Sequence, residues 1–168
     1  VVGLCHIDTR ALVRRIRVEG AMRGAILSGE AATEAALRAR LAQEPPMEGR
    51  DLVGEVTCDR PYTWSQPIEV LAGEQRAQHL PAQPDRPYRV VAYDFGVKHN
   101  ILRLLASHGC EVTVVPASTP PADVLAMDPD GIFLSNGPGD PAAVDYAVEN
   151  VRALIGERPM FGICLGHQ

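Results

Sequence analysis

Cys164 stands between Gly162 and Gly166 in the stretch GICLGHQ (162–168), directly after the apolar Pro159-Met160-Phe161. A nucleophile set between glycines where a buried strand gives way to a helix is the pattern of a nucleophile elbow. Its turn is so tight that the flanking residues must be small. A helix that starts there aims its N-terminus at the sulfur. The positive end of its dipole favours the thiolate, which is the reactive form. Taken alone, GxCxG fits a buried structural cysteine equally well, because short motifs recur by chance.

A second stretch bears on the same chemistry. Ser135-Asn136-Gly137-Pro138-Gly139-Asp140-Pro141 follows an apolar run, and its glycines allow backbone amides to come close to a ligand. With the N–H of Leu165, just after the nucleophile, these amides would form an oxyanion hole. Removing one such donor typically slows a reaction by about 10²–10³. A phosphate loop is a competing reading that ranks well below, since no lysine follows the glycines and the GxxxxGK[ST] spacing is missing. A plain strand-to-helix turn, with Asp140-Pro141 opening the helix, is equally compatible. A cysteine nucleophile also needs a base, usually a histidine. His6, His79, His99, His108 and His167 are the histidines present. His167 falls on the first turn after the elbow, His99 follows a strand, and nothing marks either as a base. The base is therefore expected beyond Gln168, and the chain reads as a fragment of a longer protein.

The elements that must position these residues begin at residue 88. YRVVAYD (88–94), EVTVVP (111–116), GIFL (131–134) and PMFGIC (159–164) read as buried parallel strands. NILRLLASHG (100–109), PADVLAMDP (121–129) and AAVDYAVENVRALIGE (142–157) read as helices between them. Alternation with short connections predicts an open, mostly parallel α/β sheet with helices on both faces, of the flavodoxin-like kind. Ligands of such sheets bind at the carboxyl ends of the strands. Both glycine loops follow a strand, so both open onto that edge.

Residues 1–60 read as a separate, smaller α+β unit. Asp8-Thr9 caps a helix over ALVRRIRVEG, which Gly20 closes; RGAILS (23–28) reads as a strand, AATEAALRARLAQ (31–43) as a helix, and LVGEVT (52–57) as a strand. Asp8 near His6 is read as a cap and not as a metal ligand. Residues 61–87 carry Pro61, Pro67, Pro81, Pro84 and Pro87 and read as a linker, with a short strand at IEVLA and Trp64 as its anchor. Hydrophobic residues make up 46% and charged residues 22%, as in a globular protein, and the net charge of −5 gives no support to a nucleic-acid or anionic-membrane surface. Arg10, Arg14, Arg15 and Arg17 read as the solvated face of a helix. Cys5, Cys58, Cys110 and Cys164 form no C-x-x-C pair, which argues against a zinc site and points to a reducing, cytoplasmic compartment.

GICLGHQ after a strand, with SNGPGDP upstream, resembles the class I (triad-type) glutamine amidotransferases. More narrowly, VAYDFGVKHNILRLLASHGCEVTVVP, DPDGIFLSNGPGDP and FGICLGHQ resemble the small, glutamine-hydrolysing subunits of carbamoyl-phosphate synthetases. HIDTRALVRRIRVEGAMRGAILSG resembles the N-terminal domain of those subunits, a segment that anthranilate synthase and GMP synthetase lack. The resemblance implies that Cys164 attacks L-glutamine and forms a γ-glutamyl thioester. It implies that Gly137, Gly139, Leu165 and Gln168 bind the substrate. The ammonia would pass to a large subunit, in a heterodimer, where ATP, Mg and bicarbonate give carbamoyl phosphate for pyrimidine and arginine synthesis. This chain itself would hold no cofactor and no metal. Against it stand a shortened chain that only binds the large subunit and a cysteine hydrolase that does not use glutamine.

Overall fold

The computed structural model describes residues 3–20, 22–29, 32–68 and 84–168. Two compact units divide between Met47 and Glu48.

The first unit contains helices α1 (Thr9–Glu19) and α2 (Glu34–Gln43). The Asp8 carboxylate accepts the Ala11 N–H at 2.9 Å and Gly20 closes α1 with φ 82°, as the sequence predicts. Thr33 caps α2 in the same way. Arg15 pairs with Glu19 one turn on, at 3.1 Å. The strand expected at RGAILS is absent: residues 22–29 form no regular element. Ile26 and Leu27 lie exposed, and an apolar run without a neighbouring strand has nothing to pair its backbone with.

The second unit is a five-stranded sheet among the described residues. It comprises α3 (Val53–Val56), β1 (Tyr62–Trp64), β2 (Tyr88–Asp94), α4 (His99–Ser107), β3 (Cys110–Pro116), α5 (Pro121–Ala126), β4 (Gly131–Leu134), α6 (Asp145–Leu154) and β5 (Met160–Gly162). The strand order is β1-β3-β2-β4-β5. The last four strands run parallel, with Val90 beside both Val112 and Gly131, and Phe133 beside Phe161. Their residues alternate between two cores. Val91, Tyr93, Val115 and Leu134 face Val124 of α5 and Ala147 and Leu154 of α6. Ala92, Val112, Val114 and Phe133 face Leu102 of α4. The flavodoxin-like, mostly parallel sheet expected from the alternation is the fold observed.

The segment before β2 departs from expectation. LVGEVT is helical, not extended. Asp51 Oδ1 accepts the N–H groups of Val53 and Gly54 at 2.9 and 3.1 Å, and this cap starts a helix that alternation over so few residues cannot rule out. Val53 is fully buried against the sheet. Part of the expected linker is β1, an antiparallel edge strand whose Tyr62 and Trp64 lie opposite Val114 and Val112. Pro61 and Pro67 border this strand, where proline costs no ladder hydrogen bond. Trp64 is the anchor foreseen: its ring lies 4.9 Å from that of His99, and the Arg103 guanidinium sits over it at 5.7 Å. The IEVLA strand falls, beyond Ile68, outside the described residues.

Candidate functional site

The chain leaves β2 for β3 on one side and later returns to β4 on the other. The carboxyl ends of β2 and β4 therefore flank the point where the winding reverses, which is where open α/β sheets hold ligands. Three loops converge there: Phe95–Lys98 after β2, Ser135–Pro141 after β4 and the elbow after β5.

Cys164 is exposed, so the buried structural cysteine does not apply. Its φ is 55°, left-handed backbone that a side-chain-bearing residue adopts at a cost of about 1–3 kcal/mol. The glycines around it are sterically required. A Cβ on Gly162 would collide with the Gly166 carbonyl oxygen, and one on Gly166 would collide with that of Leu134. Hydrogen bonds lock the turn to β4: Ile163 N–H to Leu134 C=O and Gly166 N–H to Ser135 C=O, both 3.1 Å. Cys164–Gly166 is a 3-10 turn, tighter than the α-helical start the sequence suggests, with the Cys164 carbonyl accepting from His167 and Gln168 at 2.9 and 3.0 Å.

Gly137 lies beside this turn and Gly139 against Arg50 and Leu52, for reasons the sequence does not give. Their missing side chains make room for protein, not for a ligand. A Cβ on Gly137 would collide with the Phe95 carbonyl oxygen and come within 2.8 Å of Leu165 Cδ2; one on Gly139, at φ +91°, would lie 3.0 Å from the Arg50 carbonyl oxygen. Among the described residues, the N–H groups of Gly137, Gly139 and Leu165 donate to no protein acceptor. Buried or half-buried amides are rarely left so. Leu165 itself is buried, its side chain in the core under Gly137.

Gln168 lines an apolar groove of about 390 Å³ between the elbow turn and α6, in which Leu134, Val144 and Val151 also take part and Cys164 does not. His99 is committed to Trp64, His167 borders the same groove as Gln168, and His79 lies outside the described residues. Among the described residues no histidine side chain bonds to the Cys164 thiol.

Sequence reading gave Asp94 no bracing role and read Asp140 only as the opening of a helix, which it caps. Asp94, only 6% exposed, accepts three backbone N–H groups: Gly96 at 2.9 Å, Val97 at 2.8 Å and Cys58 at 3.0 Å. Asp140 accepts from Gly49 at 2.9 Å and Ala142 at 3.0 Å. An Asp followed two residues later by Gly was the legible signal for the Asp94 turn; the long-range partners Cys58 and Gly49 left none.

The profile of the family "Glutamine amidotransferase class-I" matches residues 91–168, the sheet from β2 to the elbow. Residues 91–168 belong to that family. Over its whole length the chain is 55% identical to a carbamoyl phosphate synthase small chain of Syntrophotalea carbinolica, covering 43% of that protein. It is 55% identical to the small chain of Thermosynechococcus vestitus, again covering 43%, and 46% identical to the chloroplastic small chain of rice, covering 36%. The chain thus spans less than half the length of these relatives. In the amidotransferase domain no helix among the described residues is long and apolar enough to cross a membrane, and the same holds for the other unit.

Proposed function

We propose that this chain supplies the nucleophile and oxyanion site of a glutamine-hydrolysing subunit of carbamoyl-phosphate synthetase. The observation that carries it is the pairing of an exposed cysteine at φ 55° with the unpaired amides of Gly137, Gly139 and Leu165 on one sheet edge. The Cys164 thiolate attacks the side-chain carbonyl carbon of L-glutamine. The carbonyl oxygen becomes an oxyanion held by the free amides, and Gln168, four residues after Cys164 and bonded through its N–H to the Cys164 carbonyl, supplies a further substrate contact. As the tetrahedral adduct collapses, the C–N bond breaks, the nitrogen takes a proton from a general acid and leaves as ammonia, and a γ-glutamyl thioester remains. Water, deprotonated by the same group, then releases glutamate and the thiolate. The acid–base group comes from outside the described residues.

The relatives are named as small chains of carbamoyl phosphate synthase, which supports a large partner subunit and carbamoyl phosphate as product; we propose that this partner receives the ammonia and consumes ATP with Mg and bicarbonate, for pyrimidine and arginine synthesis. This chain needs no cofactor for its own step. A cytoplasmic location is inferred from the cysteines alone, since one of the relatives is chloroplastic.

The test is Cys164→Ser in the full-length protein with its partner. Glutamine-dependent synthesis should fall by at least about 10³-fold while synthesis from free ammonia persists. Loss of both would refute the two-subunit reading, and retention of both would refute Cys164 as nucleophile.

A further inference from the structure

Two side chains that take no part in the chemistry above tie its three loops together. Ser135 is fully buried. Its Oγ accepts the Phe95 N–H at 2.9 Å and donates to the Asn136 carbonyl at 2.8 Å. Its own carbonyl holds the Gly166 N–H of the elbow. Asn136 reaches the other way: Oδ1 accepts the Lys98 N–H at 3.1 Å and Nδ2 donates to the Gly96 carbonyl at 3.0 Å. Three side-chain hydrogen bonds thus connect the loop after β2 to the glycine loop, a fourth lies within the glycine loop, and one backbone bond connects the glycine loop to the elbow. Gly137 sits at the junction, wedged between the Phe95 carbonyl and the Leu165 side chain. Gly96 backs Pro138, its direction of side-chain growth ending 3.1 Å from Pro138 Cδ.

We propose that Ser135 and Asn136 are positioning residues: they fix the loop after β2 as the back wall of the glycine loop and so hold the Gly137 amide in place relative to Cys164. The proposal rests on the glutaminase reading for its catalytic consequence, though not for its structural one. Phe95 is only 4% exposed, so its N–H has no water to turn to when the Ser135 hydroxyl is removed. The loop must then either bury an unpaired donor or shift until it finds a partner. A shift of about 1 Å at a reacting centre costs about 10²-fold in rate. Asn136 is half-buried; water can replace part of what it does, and its loss weighs less.

The experiment uses the full-length protein with its partner subunit and the variants Ser135→Ala, Ser135→Cys and Asn136→Ala. Three quantities are read: single-turnover thioester formation from glutamine, alkylation of Cys164 by iodoacetamide, and amide hydrogen exchange over residues 95–98 and 135–139. Thioester formation should slow by about 10²-fold in both Ser135 variants and about tenfold in Asn136→Ala, with half-saturation by glutamine changed less than about threefold. Cysteine keeps the shape of serine with a somewhat larger atom and bonds weakly, so Ser135→Cys should resemble Ser135→Ala. Alkylation, which needs no oxyanion donor, should stay within about threefold of wild type. Exchange in both loops should rise at least about tenfold. Thioester formation near the wild-type rate in the variants, or a parallel fall in alkylation, would overturn the proposal. So would unchanged exchange. If the Ser135 variants do not fold, Asn136→Ala carries the same test. A wild-type protein that forms no thioester would refute the glutaminase reading alone, because the exchange result decides the positioning role whatever the substrate.

Discussion

Cys58 and Cys110 are half-buried, whereas Cys5 and Cys164 are exposed. Burial pushes the Cys58 thiol up to about 11, and the Asp94 carboxylate beside it adds to the rise. Burial raises Cys110 as well. A thiol that stays protonated is a poor nucleophile. An alkylating agent at about pH 8 should therefore label Cys164 and Cys5 and spare Cys58 and Cys110, as read by peptide mass spectrometry; equal labelling of Cys58 would mean that its seat against Asp94 is wrong. Asp140 moves in the opposite direction. The N–H groups of Gly49 and then Ala142 hold its carboxyl below the usual carboxylate range. A carboxyl whose folded value is depressed stabilises the fold above its unfolded value, about 3.9, and loses that contribution as pH falls through the folded value. Asp140→Asn should accordingly be less stable than wild type at neutral pH, with the difference closing in acid. Urea unfolding across the pH range measures it, and a difference independent of pH would show that the charge plays no part.

The elbow illustrates how an element is specified by what it cannot accommodate. Gly162 and Gly166 face carbonyl oxygens so closely that no Cβ fits. Gly162→Ala or Gly166→Ala should force β5 away from β4 and cost about 1–3 kcal/mol, together with loss of glutamine hydrolysis, measured by denaturant unfolding and glutamate release. An active, equally stable Gly166→Ala protein would contradict the geometry. This element was legible in the sequence because tight turns admit few residue types. So was β2, whose seven residues YRVVAYD match the observed strand end to end, because a strand covered on both faces is apolar throughout. The segment 48–64 was not legible. Its helix depends on the Asp51 cap, its burial on Val53 meeting a sheet far along the chain, and its strand on pairing with β3. Prolines that read as a linker are the borders of an edge strand. Likewise the glycines of SNGPGDP were found as special positions, but the reason, close packing on Phe95 and Arg50, belongs to tertiary structure alone.

At the scale of the molecule, the sheet of the second unit needs residues that local pattern assigns to the first. Val53 fills the core beside Tyr93 and Leu134, Cys58 N–H completes Asp94, Gly49 N–H completes Asp140, and Tyr146 on α6 donates its hydroxyl hydrogen to Asp51 at 3.1 Å. These contacts surround the loops that carry the site, so the segment 48–60 belongs to the amidotransferase unit structurally and braces it functionally. Two N-terminal truncations of the full-length protein test this division. One starts at Glu48, where the compact unit begins, and the other at Pro61, where the proline-rich stretch begins. The first should keep the melting transition of the parent domain. The second exposes the face that Val53 covered; losing that side chain alone costs about 2 kcal/mol. For a domain of this size that lowers the melting temperature by at least about 4 °C, and the lost caps of Asp94 and Asp140 lower it further. Reactivity should follow stability, because the loops after β2 and β4 lose their outer support together: the Pro61 truncation should hydrolyse glutamine more slowly than the Glu48 truncation when both are assayed well below their transitions. Equal melting temperatures and equal rates would place the functional boundary at residue 60 after all, and would reduce the contacts of Val53, Cys58 and Gly49 to incidental packing.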